Sequence, residues 1–143
     1  MNFFSDFELN TINTNRGLIR YRRAGNGPAL LMLHGNPQTH VMWHKVAPKL
    51  VEHFNVICPD IPGYGKSFKL PVSEDHKAYS KVNMARDLIN FMDILGYKEF
   101  FIVAHDRGAR IAHRLALDFP NRIIKIILLD IIPTIEHFER TNM

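Results

Sequence analysis

The sequence predicts an α/β fold built on a mostly parallel sheet. Short, nearly continuous apolar runs recur at 29–33, 100–104 and 123–129, as strands buried on both faces would require. Stretches with helical apolar spacing alternate with them. The unusual polar residues follow directly on the strand runs: His34-Gly35-Asn36-Pro37, Asp60, Asp106 and Asp130. Ligand sites of parallel sheets lie at the carboxyl ends of strands.

Phe7 to Asn13 and Leu18 to Ala24 read as two strands joined at Asn15-Arg16-Gly17, a turn signal. Ala29 to Leu33 is a buried strand that stops at His34-Gly35-Asn36-Pro37. Val41 to His53 has helical spacing, through Val46, Leu50, Val51 and then Phe54. Asn55 to Cys58 is a second buried strand, ended by Pro59-Asp60. Ile61 to Tyr79 is rich in Gly, Pro and charge and reads as loop. Val82 to Leu95 is a helix with Met84, Leu88, Phe91, Met92 and Leu95 inward and Gly96 as its stop. Phe100 to Ala104 is a strand. Arg107 to Phe119 is a helix carrying Ile111, Leu115 and Phe119 on one face, and Ile123 to Leu129 is the last strand.

A chain of 143 residues with 46% hydrophobic residues fits one domain with a real core. Its 22% charged residues exclude wholesale disorder. A single cysteine, Cys58, excludes a disulfide framework and a cysteine-rich zinc site, and no metal or cofactor is expected. The apolar run from Ile123 to Pro133 is broken by Lys125 and Asp130, too short and too charged for a membrane span. Residues 1–6 have no basic region and no long apolar stretch, so no secretion signal is read and the cytoplasm is the expected compartment. The net charge of +4 raises nucleic acid as a partner, but the cations are scattered among acids. Arg20, Arg22 and Arg23 form the only tight cluster, so neither a nucleic-acid nor a membrane partner is expected.

Ala104-His105-Asp106-Arg107-Gly108 lies between a buried strand and a helix and has the form small-x-nucleophile-x-small. Small residues are needed there because the turn is too tight for side chains on either side of the nucleophile. The nucleophile would be Asp106. A carboxylate is ionised at neutral pH and attacks saturated or epoxide carbon without a base, leaving an ester that water must cleave with help from a histidine. Alternatively, Asp106 caps the helix that begins at Arg107, a common role for Asp.

Several strings together resemble the haloacetate (fluoroacetate) dehalogenases of the α/β-hydrolase superfamily. They are His34-Gly35-Asn36-Pro37-Gln38-Thr39, Met42-Trp43 with Val46-Ala47-Pro48, and Asp60-Ile61-Pro62-Gly63-Tyr64-Gly65-Lys66-Ser67. Further along come His105-Asp106-Arg107-Gly108-Ala109-Arg110, Arg114 to Asp118, and Leu129-Asp130-Ile131-Ile132-Pro133-Thr134. The resemblance implies an α/β-hydrolase core acting as a hydrolytic dehalogenase on small 2-haloacids. Arg107 and Arg110 lie three residues apart at a helix start and share a face beside Asp106. Guanidinium groups suit planar carboxylates, so the pair is expected to bind the substrate acid. The alternative is two surface arginines paired with nearby acids. Arg114 is read as structural.

The resemblance further implies an oxyanion site made by the backbone N–H groups of Asn36 and Arg107. Asn36 departs from the aromatic residue expected in haloacetate dehalogenases; haloalkane dehalogenases carry Asn there, in contact with halide. His34 is expected to hold its loop by hydrogen bonds, and His105 to be a packed, satisfied histidine. Asp130 matches the acid that orients the catalytic histidine. That histidine is expected last in chain order, and beyond Asp130 only His137 remains. The sequence is therefore read as the amino-terminal half of such an enzyme, residues 1–143 forming one partial domain in which about 134–143 begin a cap. An exposed strand edge and apolar surface are expected, and the partner would be a complementing chain or a second copy. Two other readings compete: an epoxide hydrolase, which shares the aspartate nucleophile, and a non-catalytic remnant or subunit of a split enzyme.

Overall fold

The computed structural model describes residues 3–71 and 74–141. Six strands form one sheet: β1 (Glu8–Thr14), β2 (Gly17–Ala24), β3 (Ala29–Leu33), β4 (Asn55–Pro59), β5 (Phe100–His105) and β6 (Ile123–Leu129). Their order across the sheet is β1-β2-β4-β3-β5-β6. β1 and β2 form an antiparallel hairpin, and β2 runs antiparallel to β4. From β4 onward every pair is parallel. All four parallel strands therefore end at one edge, and β3, β5 and β6 stand side by side there.

Alternation along the strands builds a core on each face. Leu31 and Leu33 of β3, Ile57 of β4 and Ile102 of β5 point to one side. There they meet α1 (Lys81–Ile94) through Leu88, Phe91 and Met92, and α2 (Asp106–Asp118) through Ile111 and Leu115. Leu30, Met32, Val56 and Cys58 point to the other side and pack with Phe4, Phe7, Trp43 and Ala47. α1 begins where Ser80 Oγ accepts the Asn83 N–H at 3.3 Å, a cap worth about 1 kcal/mol. It stops before Gly96, whose φ of +85° few other residues would adopt.

Two expectations are corrected. Residues 41–53 form no α-helix but two short 3-10 helices, His40–Lys45 and Ala47–Lys49. Pro48 has no N–H to give an α-helical ladder, and Val46 is 44% exposed rather than inward. β6 is not covered on both faces. Among the described residues it is an edge strand with Ile124, Ile127 and Leu129 exposed, which meets the expectation of an exposed strand edge and apolar surface. A third helix, α3 (Thr134–Thr141), is exposed along its length. Among the described residues no helix is long and apolar enough to cross a membrane.

Candidate active site

The turn after β5 sets the site. Asp106 takes left-handed backbone, φ +47°, which swings its side chain out of the strand-to-helix path. His105, not Asp106, occupies the N-cap position of α2, so Asp106 is no helix cap. Its Oδ1 accepts the Asn36 N–H at 2.7 Å, and the Arg107 N–H also donates to this carboxylate. The two N–H groups expected to form an oxyanion site thus converge on one side chain. Burial alone would raise the Asp106 pKa. The two N–H bonds and the neighbouring His105 and Arg107 side chains outweigh it and hold the group below the usual carboxylate value.

Two glycines permit this approach. A Cβ on Gly35 would lie 2.6 Å from both Cβ and Oδ1 of Asp106. A Cβ on Gly108 would meet His34 O and the Leu33 backbone. Gly108, the small residue after the nucleophile in the sequence pattern, is thus explained by contact between the end of β3 and the β5–α2 turn.

His34 is fully buried. Its Nε2 accepts the Ile61 N–H at 3.0 Å, so Nδ1 carries the proton and donates to Gly35 O at 2.8 Å. Burial pushes its pKa down. With both nitrogens engaged, His34 ties two loops together and is not free to act as a base. Asp60 anchors the second loop. It accepts the His40 N–H and ring at 2.9 and 2.7 Å and the Lys66 N–H at 3.0 Å. Burial opposes ionisation, yet these bonds hold its pKa at about 2.

Arg107 is exposed and Arg110 half-buried. Arg110 Nη1 donates to Thr134 Oγ1 at 3.3 Å. Among the described residues neither makes an ion pair, so they are not surface arginines neutralised by acids. Arg114 does pair, with Asp118 at 2.5 Å, as a structural residue would. Asp130 follows β6 with φ +59° and its side chain 85% exposed. It makes no direct contact with Asp106, but shares an open hollow with Arg110 and His137.

His105 corrects another expectation. It is not satisfied: Nδ1 is buried without a partner among the described residues, and Nε2 lies 3.6 Å from Asp130 Oδ2, beyond a hydrogen bond. Tyr64 belongs to the 60–67 string but is given no role by the sequence. Its hydroxyl donates to Asn36 Oδ1 at 3.1 Å and its ring stands edge-on to His34, bracing the loop that holds the nucleophile. Among the described residues no three His, Cys, Asp or Glu side chains gather as a metal site would need.

Residues 28–143 match the family described as the α/β hydrolase fold. The chain belongs to that family. This α/β hydrolase is 43% identical over 139 residues to a fluoroacetate dehalogenase of Burkholderia sp, covering 97% of this chain and 46% of that protein. A soluble epoxide hydrolase of Corynebacterium sp. (strain C12) is 36% identical over 115 residues, 80% of this chain and 38% of the other. A solved structure from Nostoc sp PCC 7120, described as an α/β hydrolase, superposes with a TM-score of 0.92 at 49% identity, over 95% of this chain and 47% of that one. The α/β hydrolase chain thus spans less than half the length of the curated relatives it matches.

Proposed function

We propose that this chain carries the nucleophile and acid-binding part of a hydrolytic dehalogenase for small 2-haloacids such as haloacetate. The observation that carries the reading is Asp106. It is a left-handed carboxylate with one oxygen held by the Asn36 N–H, followed by two arginines that make no ion pair among the described residues. Arg107 and Arg110 bind the acid's carboxylate and orient its α-carbon. Asp106 Oδ2 attacks that carbon, and the halide leaves with the carbon–halogen electron pair. The result is an ester whose carbonyl oxygen is Oδ1, already held by the Asn36 N–H. Water adding to Cγ places negative charge on Oδ1, where the Asn36 N–H stabilises it, and collapse releases the hydroxyacid and the carboxylate. The water's proton needs a histidine base, oriented by Asp130.

Epoxide opening uses the same nucleophile, and an epoxide hydrolase is among the relatives. The two arginines favour the acid, because an epoxide has no carboxylate to bind. Mass spectrometry of the Asp106 peptide after chloroacetate or glycidol treatment tests the choice. A carboxymethyl ester on Asp106, absent in Asp106→Asn, is expected. Arg110→Ala should slow its formation by about 10- to 100-fold, the cost of a charge-assisted contact. Labelling by glycidol alone would transfer the reading to epoxide opening.

A further inference from the structure

Lys81 opens α1, directly after the Ser80 cap. The first turn of a helix already presents positive potential, so a cation is poorly placed there. The side chain is half-buried, and among the described residues it makes no hydrogen bond or ion pair. It faces Arg107 and Arg110, which repel it, and Asp106, which attracts it. Burial and the two guanidinium groups hold its ammonium below the ordinary lysine value, against the pull of Asp106.

Two hollows meet at Lys81. One is a cleft of about 330 Å³ that it lines with Arg107, Tyr64 and Tyr79. The other is an open hollow that it shares with Arg110 and Glu136; Glu136 makes no ion pair with it. Lys81 therefore stands between the flanks of both arginines. Lys81 thus interacts with two like charges and one carboxylate, a repulsion that an arriving anion would relieve. An arginine fork fixes the plane of a carboxylate, whereas an ammonium adds a compact point charge on a flexible stem.

We propose that Lys81 is a third cationic contact for the substrate's carboxylate, a specificity residue that makes this site choose an acid over its neutral amide. The inference rests on the haloacid reading of the same site and extends it to a residue on a different helix.

The test separates the two. Glycolate and glycolamide are inert and differ only in the charged group; their binding to the full chain is followed by NMR titration at constant ionic strength. Lys81→Met, which keeps the apolar stem, should weaken glycolate about tenfold and leave glycolamide unchanged. Lys81→Arg should hold glycolate within about threefold of the wild type. A purely structural role would move both ligands together. Wild-type affinity for glycolate in Lys81→Met, parallel loss of both ligands, or no preference for glycolate in the wild type would each overturn the proposal. Chloroacetate labelling of Asp106 is scored separately. Labelling without a Lys81 effect on glycolate removes the lysine assignment alone. A Lys81 effect without labelling upholds the anion contact and removes the dehalogenase reading.

Discussion

Gly35→Ala displaces the nucleophile with little change elsewhere. The new Cβ would lie 2.6 Å from both Cβ and Oδ1 of Asp106. Non-bonded carbons settle about 3.5–4.0 Å apart, so one group must retreat by about 1 Å. Rotating the Asp106 side chain frees Oδ1 but not Cβ, which is fixed by backbone at φ +47°. Either the turn or the 34–37 loop shifts, and the 2.7 Å bond from the Asn36 N–H to Oδ1 goes with it. Misplacing a reacting group by about 1 Å costs on the order of 100-fold in rate. Overpacking of this kind destabilises by about 1–3 kcal/mol, within what a folded domain tolerates. The assay is the rate of Asp106 carboxymethylation by chloroacetate, read by intact mass, with circular dichroism and a melting curve beside it. Gly108→Ala is the contrast. Its Cβ meets the backbone of the β3 end, so it should lose the fold before the chemistry can be measured. A folded Gly35→Ala chain that alkylates within threefold of the wild-type rate would refute the reasoning.

The chain by itself should release at most one equivalent of halide from chloroacetate and retain the ester on Asp106. His34 is engaged at both nitrogens, so it cannot activate water for the second step. Steady multiple turnover would defeat this, and His137→Ala would then be the first variant to assay. Stability should depend on pH through two carboxylates of opposite sign. Asp87 is buried beside Arg16 at 3.0 Å, and burial, against the pull of Arg16, raises its pKa to about 6. Its contribution is greatest below the ordinary carboxylate value and falls as pH rises from about 4 to 6, by on the order of 2–3 kcal/mol. Asp60, held at about 2, contributes above the ordinary value, and its stability disappears as pH falls from about 4 to 2. Urea titrations across pH should show a decline toward neutrality that Asp87→Asn abolishes; an unchanged slope in that variant would assign the decline to another group.

The fold was legible where local signals agreed. β3 and β6 lie where the apolar runs 29–33 and 123–129 placed them, because turn residues bound each run. α1 follows from its apolar spacing and the Gly96 stop. The Asp106 turn was readable because steric rules tie small residues to the nucleophile at fixed offsets. Spacing misled at 41–53, where Pro48 overrides a helical pattern. It also said nothing of strand order. The solvent-facing side of β6 depends on what packs beside it, not on its own composition. The roles of Tyr64 and Lys81 were invisible for a related reason. Each reaches the site across more than twenty residues of sequence, through loops and a helix whose placement no local pattern encodes. His105 looked ordinary because neither its buried, unpartnered Nδ1 nor its distance from Asp130 can be read from neighbours in the chain.

Asp106 and Asp130 both hold left-handed backbone, at the ends of adjacent parallel strands. Aspartate tolerates this conformation better than most residues, yet it still strains the chain by about 1 kcal/mol at each position. Glycine would relax both turns. A directed-evolution campaign scored on thermostability alone will therefore be drawn to Asp106→Gly and Asp130→Gly, erasing the two carboxylates that the proposed chemistry needs. Libraries for this scaffold should hold both positions fixed and seek robustness elsewhere.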